Sequence, residues 1–474
     1  MFGIDKLLNK IFNKQKDEKL EDLEIKENYI HGLIFYNSYF DYVAKALPKG
    51  SFCFLVGGWV RDRIINRPIG ENIDIDFIIT ADPLQVVNNL KKFIKGDIFQ
   101  FEKEKKVATF LFKENNYNYR FDFSYLDISD ILSNPDIDFY QKEELILERL
   151  IKDLLERDFT INAIAVNFDD TSSLSASTTV LIDPSNGFKD LQDGIIRPIS
   201  IENIIKDPVR ILRGYRLALE LDFTIDKEFE KFVKNNPNLI EKSPKERIRD
   251  ELLKIISNEN SKDTLNKLLE NKILKKVISK NLKDLKLYES LEENIKKKLK
   301  FVDVQKLKEI KLYQNFSSIT FLKLAAILYT LKDYKEILEE KLLLPVKISK
   351  FIEDIIQATE YLLSISKNNP SDFELNWFWY KFKNASDYCF LLSYSINKNL
   401  EDFILRLINH YENNYKNNIV EEPLLSGEEI MKLLNLKPSK EVGIIKDSLI
   451  KAQISGKVKT KAEATKFVKE FKGK

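Results

Sequence analysis

Residues 52–77 read FCFLVGGWVRDRIINRPIGENIDIDF. The run 52–56 is short, apolar and rich in strand formers, which fits a buried strand. Gly57 and Gly58 break it, and 59–65 starts a helix with Arg61, Asp62 and Arg63 in its first turns. Asn66, Pro68 and Gly70 mark a loop. Polar and apolar residues then alternate over 72–79, which predicts a second strand. Its period of two puts Asp74 and Asp76 on one face and Ile73, Ile75 and Phe77 on the other.

Two carboxylates side by side repel, and the arrangement wants a cation. The glycine turn before them has a bare backbone that can approach phosphate oxygens. Divalent metal, triphosphate and glycine turn together suggest nucleotidyl transfer. An isolated Asp-x-Asp is more often a polar strand edge; the Gly-Gly-x-Val-Arg-Asp stretch upstream reverses that preference. Gly57-Gly58-Trp59-Val60-Arg61-Asp62 followed by Asp74-Ile75-Asp76 resembles the first motif of the bacterial-type (class II) tRNA nucleotidyltransferases and their relatives, the bacterial poly(A) polymerases. The resemblance implies an α+β chain. A polymerase-β-like nucleotidyltransferase head, a mixed sheet with helices, would be followed by an all-helical neck, body and tail. It also implies Mg²⁺ at Asp74 and Asp76, with Gly57, Gly58 and Arg61 positioning the triphosphate.

The chain has 474 residues, enough for two to four domains. Its 76 basic and 74 acidic residues give a formal charge of +2, so an RNA surface must come from local lysine clusters. Cys53 and Cys389 are the only cysteines, which excludes a disulfide framework and fits a reducing cytoplasm. With His31 and His410 alone, histidine metal sites and Ser-His triads are disfavoured. No apolar stretch approaches the ~20 residues of a membrane span. Residues 1–28 read as an amphipathic surface helix with a charged linker; the alternative is a peripheral anchor through Leu7, Leu8, Ile11 and Phe12.

Residues 29–48 are expected to be helical. Asp82 caps a further helix with Pro83 at its first position. Residues 97–126 read as a strand meander with a turn at 114–116, and Asp122 lies in its last strand. Two-metal sites use a third carboxylate on a neighbouring strand. Asp122 is the catalytic candidate, with Asp127 in reserve and a solvent-facing aspartate as the competing reading. Residues 128–152 look polar and irregular, either a loop beside the site or an exposed connector.

The stretch from Asp153 to Ala165 reads as a helix on which Asp158 and Asn162 stack four apart. It resembles the family's Arg-Arg-Asp-x-Thr-x-Asn-Ala motif, with Glu156 in place of the first Arg. The resemblance assigns Asp158 to the ribose 2′-hydroxyl, Arg157 to phosphate or ordering of the site, and Asn162 to the same face. Residues 181–191 resemble the next motif, a turn built on Asp183, Pro184 and Gly187 that braces the site. At 207–218 an Asp cap and a Pro at the first position start a helix. By resemblance, Asp207 and Arg210 read the base edge of cytosine or adenine, since together they offer donors and acceptors. Arg213 points toward phosphate, and Lys206 stands where the family often has Glu. Residues 243–253 resemble the motif that braces the neck, through Glu246, Arg247 and Glu251.

Residues 259–420 run as lysine-rich amphipathic helices. Tyr329-Thr330 stands where a His-Asp metal pair of longer relatives would fall, which disfavours a metal phosphohydrolase there. Residues 424–460 resemble the C-terminal segment of longer nucleotidyltransferases, with Lys437, Lys440, Lys446, Lys451, Lys457 and Lys459 available to RNA phosphates or simply solvated. The expected division is an extension 1–28, head 29–195, neck 196–258, body 259–420 and tail 421–474. The expected activity is template-independent addition of CMP and/or AMP to the tRNA 3′ end in the cytoplasm, with CTP and/or ATP, Mg²⁺ and no membrane. A CC-only or A-only enzyme and a poly(A) polymerase are the near alternatives. A catalytically dead RNA-binding protein is the distant one.

Overall fold

A computed structural model describes residues 29–30, 32–101, 106–134, 136–171 and 179–471. The amphipathic reading of 1–28 and most of the polar loop 169–179 lie outside them. The chain forms two compact units, Met1–Lys242 and Ser243–Lys474.

The first unit is built on an eight-stranded mixed sheet. Its strands are β1 (Tyr29–Ile30), β2 (Cys53–Val56), β3 (Asn72–Ile79), β4 (Asp97–Phe101), β5 (Val107–Glu114), β6 (Tyr117–Tyr125), β7 (Ala165–Asn167) and β8 (Thr179–Ile182). Their order is β1-β8-β7-β2-β3-β6-β5-β4. Only β3 and β6 run parallel; the remaining neighbours are antiparallel. The β5–β6 hairpin turns on Asn115 and Asn116, both at positive φ, the backbone a tight two-residue hairpin requires.

One sheet face carries an aromatic layer in which Phe77 stacks on Phe123 at 4.7 Å and meets Phe40 edge-on. On the other face, helix Phe139–Leu155 covers Phe54, Val56, Ile78 and Ala165 with Ile146, Leu147, Leu150, Ile151 and Leu154. Asp74 and Asp76 belong to this second face. They project where the row that continues as Ile78 runs out from under the helix.

Three sequence expectations change here. Residues 29–48 are not one helix. Tyr29 pairs with Val180, Gly32–Phe35 is a 3-10 turn, and the Asn37 side chain accepts from the Tyr39 amide before helix α1 (Phe40–Ala46). Residues 128–152 are not irregular. A short helix at Ser129–Ser133 is followed by Phe139–Leu155, whose N-terminus is closed by a reciprocal capping box between Asp138 and Gln141. That helix ends at Leu155, so Asp158 and Asn162 are not on an α-helix. Phe159 is extended and bridges Pro198, and Thr160–Asn162 is a 3-10 turn. The glycine turn agrees with the sequence: helix α2 is Gly58–Ile64.

The second unit is almost wholly helical. Its long central helix, Val346–Ile365, is flanked by Ser318–Leu328 and Ser386–Ile396, and these three are buried on several sides. Residues 424–471 add a small cluster around Ile430, Ile445, Leu449 and Val468. Among the described residues no helix is long and apolar enough to cross a membrane.

Candidate active site

Gly57 is demanded twice. Its φ of 75° is a region that side chains avoid, and a Cβ there would sit 2.8 Å from Asp76 Oδ2. The turn is therefore shaped around the carboxylate. Asp74 is exposed and Asp76 half-buried. Burial raises the Asp76 carboxyl to about 6; nearby Arg157 opposes that, and Asp122 and Asp74 add to it. Although the Asp74 residue is open to solvent as a whole, its carboxyl is partly desolvated where it meets the sheet, which raises it against the pull of Arg120, and Asp122 adds to the rise. Among the described residues neither carboxylate receives a hydrogen bond. Two crowded, undonated carboxylates on one face fit a divalent cation. No group of three or more His, Cys, Asp or Glu among the described residues is arranged to hold one. Mg²⁺ commonly takes one or two carboxylates and completes its shell with water and substrate phosphates, so the pair Asp74–Asp76 fits Mg²⁺ bound that way.

The sequence candidate for a third ligand, Asp122, is aligned beside Asp76 in the parallel register. Its carboxylate is already engaged: Arg120 Nε donates to it at 2.7 Å, and Thr109 Oγ1 donates to the other oxygen. The reserve candidate Asp127 lies past the end of β6 and caps Ser129.

Behind the carboxylates runs a buried polar chain. Arg61 Nε donates to Asp62 (2.7 Å) and Arg61 Nη1 to Asn162 Oδ1 (2.9 Å). Asn162 Nδ2 donates to Asp158 Oδ1 at 3.2 Å, and Arg213 pairs with Asp158 Oδ2 at 2.5 Å. Asp158 and Asn162 thus do meet, but a 3-10 turn brings them together instead of a helical face. Arg61 is 7% exposed and faces this chain, so it orders the site and is not turned to solvent. Arg213 is exposed at the open end. Arg157 lies beside Gly57 and Asp76 and reaches Asp153 at 3.3 Å.

The turn 156–162 is tied down from outside. Asn203 Nδ2 donates to the carbonyls of Leu155 and Arg157, and Arg210 donates to those of Glu156, Arg157 and Asn203. Arg210 Nε also lies 3.7 Å from Asp207. Asp207 closes helix Ile201–Lys206 as its C-cap, and helix Arg210–Leu221 begins three residues later, so Asp207 is not an N-cap. Residue 187 is glycine for a different reason than a turn. Asn186 holds the left-handed position (φ 57°), and a Cβ on Gly187 would lie 2.1 Å from the Thr160 carbonyl. Asp183 braces this corner by accepting from the Gly187 and Phe188 amides at 2.8 Å. Gly214 lets Phe159 pack against its helix, since a Cβ would stand 2.7 Å from that ring.

Sequence reasoning missed Arg120, Thr109 and Asn203. The first two become visible only through strand register. Asn203 has a weak signal, a Ser200 cap three residues before it.

Residues 53–197 match the family described as "Poly A polymerase head domain", and residues 222–285 match "Probable RNA and SrmB- binding site of polymerase A". A CC-adding tRNA nucleotidyltransferase of Synechocystis is 26% identical over 426 residues, covering 88% of this chain and 93% of the relative. A CCA-adding enzyme of Lactobacillus johnsonii is 31% identical over 219 residues, and the match spans about half of it, 48%. Among solved structures, a CCA-adding enzyme with ATP superposes with a TM-score of 0.63 at 20% identity, covering 94% of this chain and 99% of that one. A Thermotoga maritima CCA-adding enzyme in complex with tRNA gives 0.59 at 20% identity over the same shares. At these identities the structures speak for the fold alone, and that fold is a mixed-sheet head with a helical remainder. Motif order, domain matches and fold agree: residues 53–197 carry a poly(A) polymerase-type head domain, and the chain is similar to CC- and CCA-adding nucleotidyltransferases.

Proposed function

We propose that this protein adds CMP and/or AMP to the 3′ end of tRNA without a template, with CTP and/or ATP as donors. The observation that carries this reading is the pair Asp74–Asp76, undonated and set against the Gly57 turn. When Mg²⁺ is bound, the chemistry it supplies is activation of the RNA 3′-hydroxyl and neutralisation of the departing pyrophosphate. The chain's own part is positioning. Asp74 and Asp76 hold the cation, and Gly57 and Gly58 leave room for phosphate oxygens. Arg157 supplies positive charge beside Asp76. The Arg61–Asn162–Asp158 chain fixes a carboxylate and an amide where a ribose would be read, and Arg213 presents a cation at its open end.

Asp207 and Arg210 are the proposed base-reading pair. Arg210 holds the 156–157 carbonyls, so the groups proposed for base and ribose share one scaffold. In this reading 29–195 is the head, 196–258 the neck, 259–420 the body and 421–474 the tail, and the work is done in the cytoplasm. A narrower product, CC, is favoured by one observation: the relative matched over 93% of its length is a CC-adding enzyme.

The metal assignment is tested with Asp74→Ala. Nucleotide addition should vanish while tRNA binding persists; near-normal turnover refutes the assignment.

A further inference from the structure

Strand register builds a compact electrostatic unit on the catalytic face. Asp74 is aligned with Arg120 and Asp76 with Asp122 across β3 and β6, and Thr109 is aligned with Asp122 across β5 and β6. Arg120 Nε and Thr109 Oγ1 take one Asp122 oxygen each. Thr109 is fully buried and fixed by the sheet, whereas the Arg120 side chain is 48% exposed and has room to move. Its positive charge also acts on Asp74 and Asp76. A carboxylate oxygen that accepts from a guanidinium keeps a second lone pair, but the cation lying against it makes that oxygen a poor ligand for a divalent metal until the guanidinium moves off. Of the two donors, Arg120 is the one that can leave.

This inference rests on the reading of Asp74 and Asp76 as metal ligands. We propose that Arg120 is a positioning residue that withholds Asp122 from the metal and weakens metal binding, so that Asp122 becomes a ligand only once Arg120 lets go. Two effects act in the same direction. Arg120 occupies a carboxylate oxygen, and its charge repels a divalent cation. Through a water-like dielectric, one positive charge in the same cluster as a divalent cation costs about tenfold in affinity.

The test is a Mn²⁺ titration of the full chain without nucleotide or RNA, read by electron paramagnetic resonance of free Mn²⁺. Arg120→Gln should tighten binding by about tenfold or more. In the Arg120→Gln/Asp122→Asn double variant the part due to Asp122 should be lost, leaving binding weaker than in Arg120→Gln. Asp76→Asn is the control for the site itself. If Asp76→Asn abolishes binding and Arg120→Gln leaves it unchanged or weaker, the inference is overturned and the site assignment stands. If Asp76→Asn binds like the unaltered chain, the site assignment fails with it. A double variant as tight as Arg120→Gln overturns the release of Asp122. Should Arg120→Gln fail to fold, Arg120→Lys keeps the charge and loses the Nε fork. The gain should then fall below that of charge removal but remain measurable, and no gain overturns the proposal.

Discussion

Asp76→Asn should make the metal-free protein more stable while destroying its function. Burial lifts this carboxyl from 3.8 to about 6, so the folded state holds its proton more tightly than the unfolded chain does. The sign follows from linkage. As pH rises from 3.8 to about 6 the unfolded state ionises first, and folding stability falls across that window. Above about 6 the penalty is fully present, at most about 3 kcal/mol for a shift of this size. The carboxylate's remaining solvent contact brings the expected figure to about 2 kcal/mol. An asparagine carries no charge to desolvate and escapes the penalty. Urea unfolding of the full chain, with chelator present, should therefore show Asp76→Asn stabilised by about 2 kcal/mol at pH 8, with about half of that difference gone at pH 5 and most of it gone at pH 4. Added Mg²⁺ should stabilise the unaltered chain at pH 8 and leave Asp76→Asn unmoved. A variant no more stable than its parent at pH 8, or one equally stabilised by Mg²⁺, would refute the reasoning.

Other substitutions probe the scaffold. Gly57→Ala should strain the turn and push on Asp76, lowering nucleotide addition at least ~100-fold in a primer-extension assay, with a stability loss of about 1–2 kcal/mol. Gly187→Ala would drive a Cβ into the Thr160 carbonyl, a backbone atom with no room to yield, and should lower the unfolding midpoint sharply or prevent soluble expression. Asp158→Ala removes the acceptor shared by Asn162 and Arg213; the preference for ribo- over deoxynucleotides should narrow by about tenfold or more in competition assays. In the helical unit, Lys323 is 3% exposed and pairs with buried Glu292 at 3.1 Å. Lys323→Ala leaves that carboxylate uncompensated and should cost about 3–5 kcal/mol, read as a large drop in denaturant midpoint.

The strand, glycine turn, helix and strand over 52–79 were legible because each step has a local cause: an apolar run, paired glycines, then strict alternation. The Asp82–Pro83 helix start and the Asn115–Asn116 hairpin were legible for the same reason. Helix Phe139–Leu155 was not, because its first turns, Tyr140 to Glu144, are mostly polar and its apolar stripe begins only near Leu145. The Asp138–Gln141 capping signature was the available clue. The turn 156–162 could not be read because its shape comes from distant partners: Pro198, Asn203 and Arg210. The meeting of Asp158 and Asn162 does not depend on that backbone, since a helical face and a 3-10 turn both bring them together. The engagement of Asp122 by Arg120 and Thr109 depends on the register of three strands, which no local pattern encodes.

The central claim is nucleotide addition to tRNA. It is tested most directly with Mg²⁺ and three tRNA transcripts, ending before CCA, after the first C and after CC, given CTP and ATP separately and together. The account predicts short, defined extension of the tRNA 3′ end that Asp74→Ala abolishes, and the narrower reading predicts that it stops after the second C. Long A tails would move the protein to poly(A) synthesis, and no extension of any transcript would contradict the account.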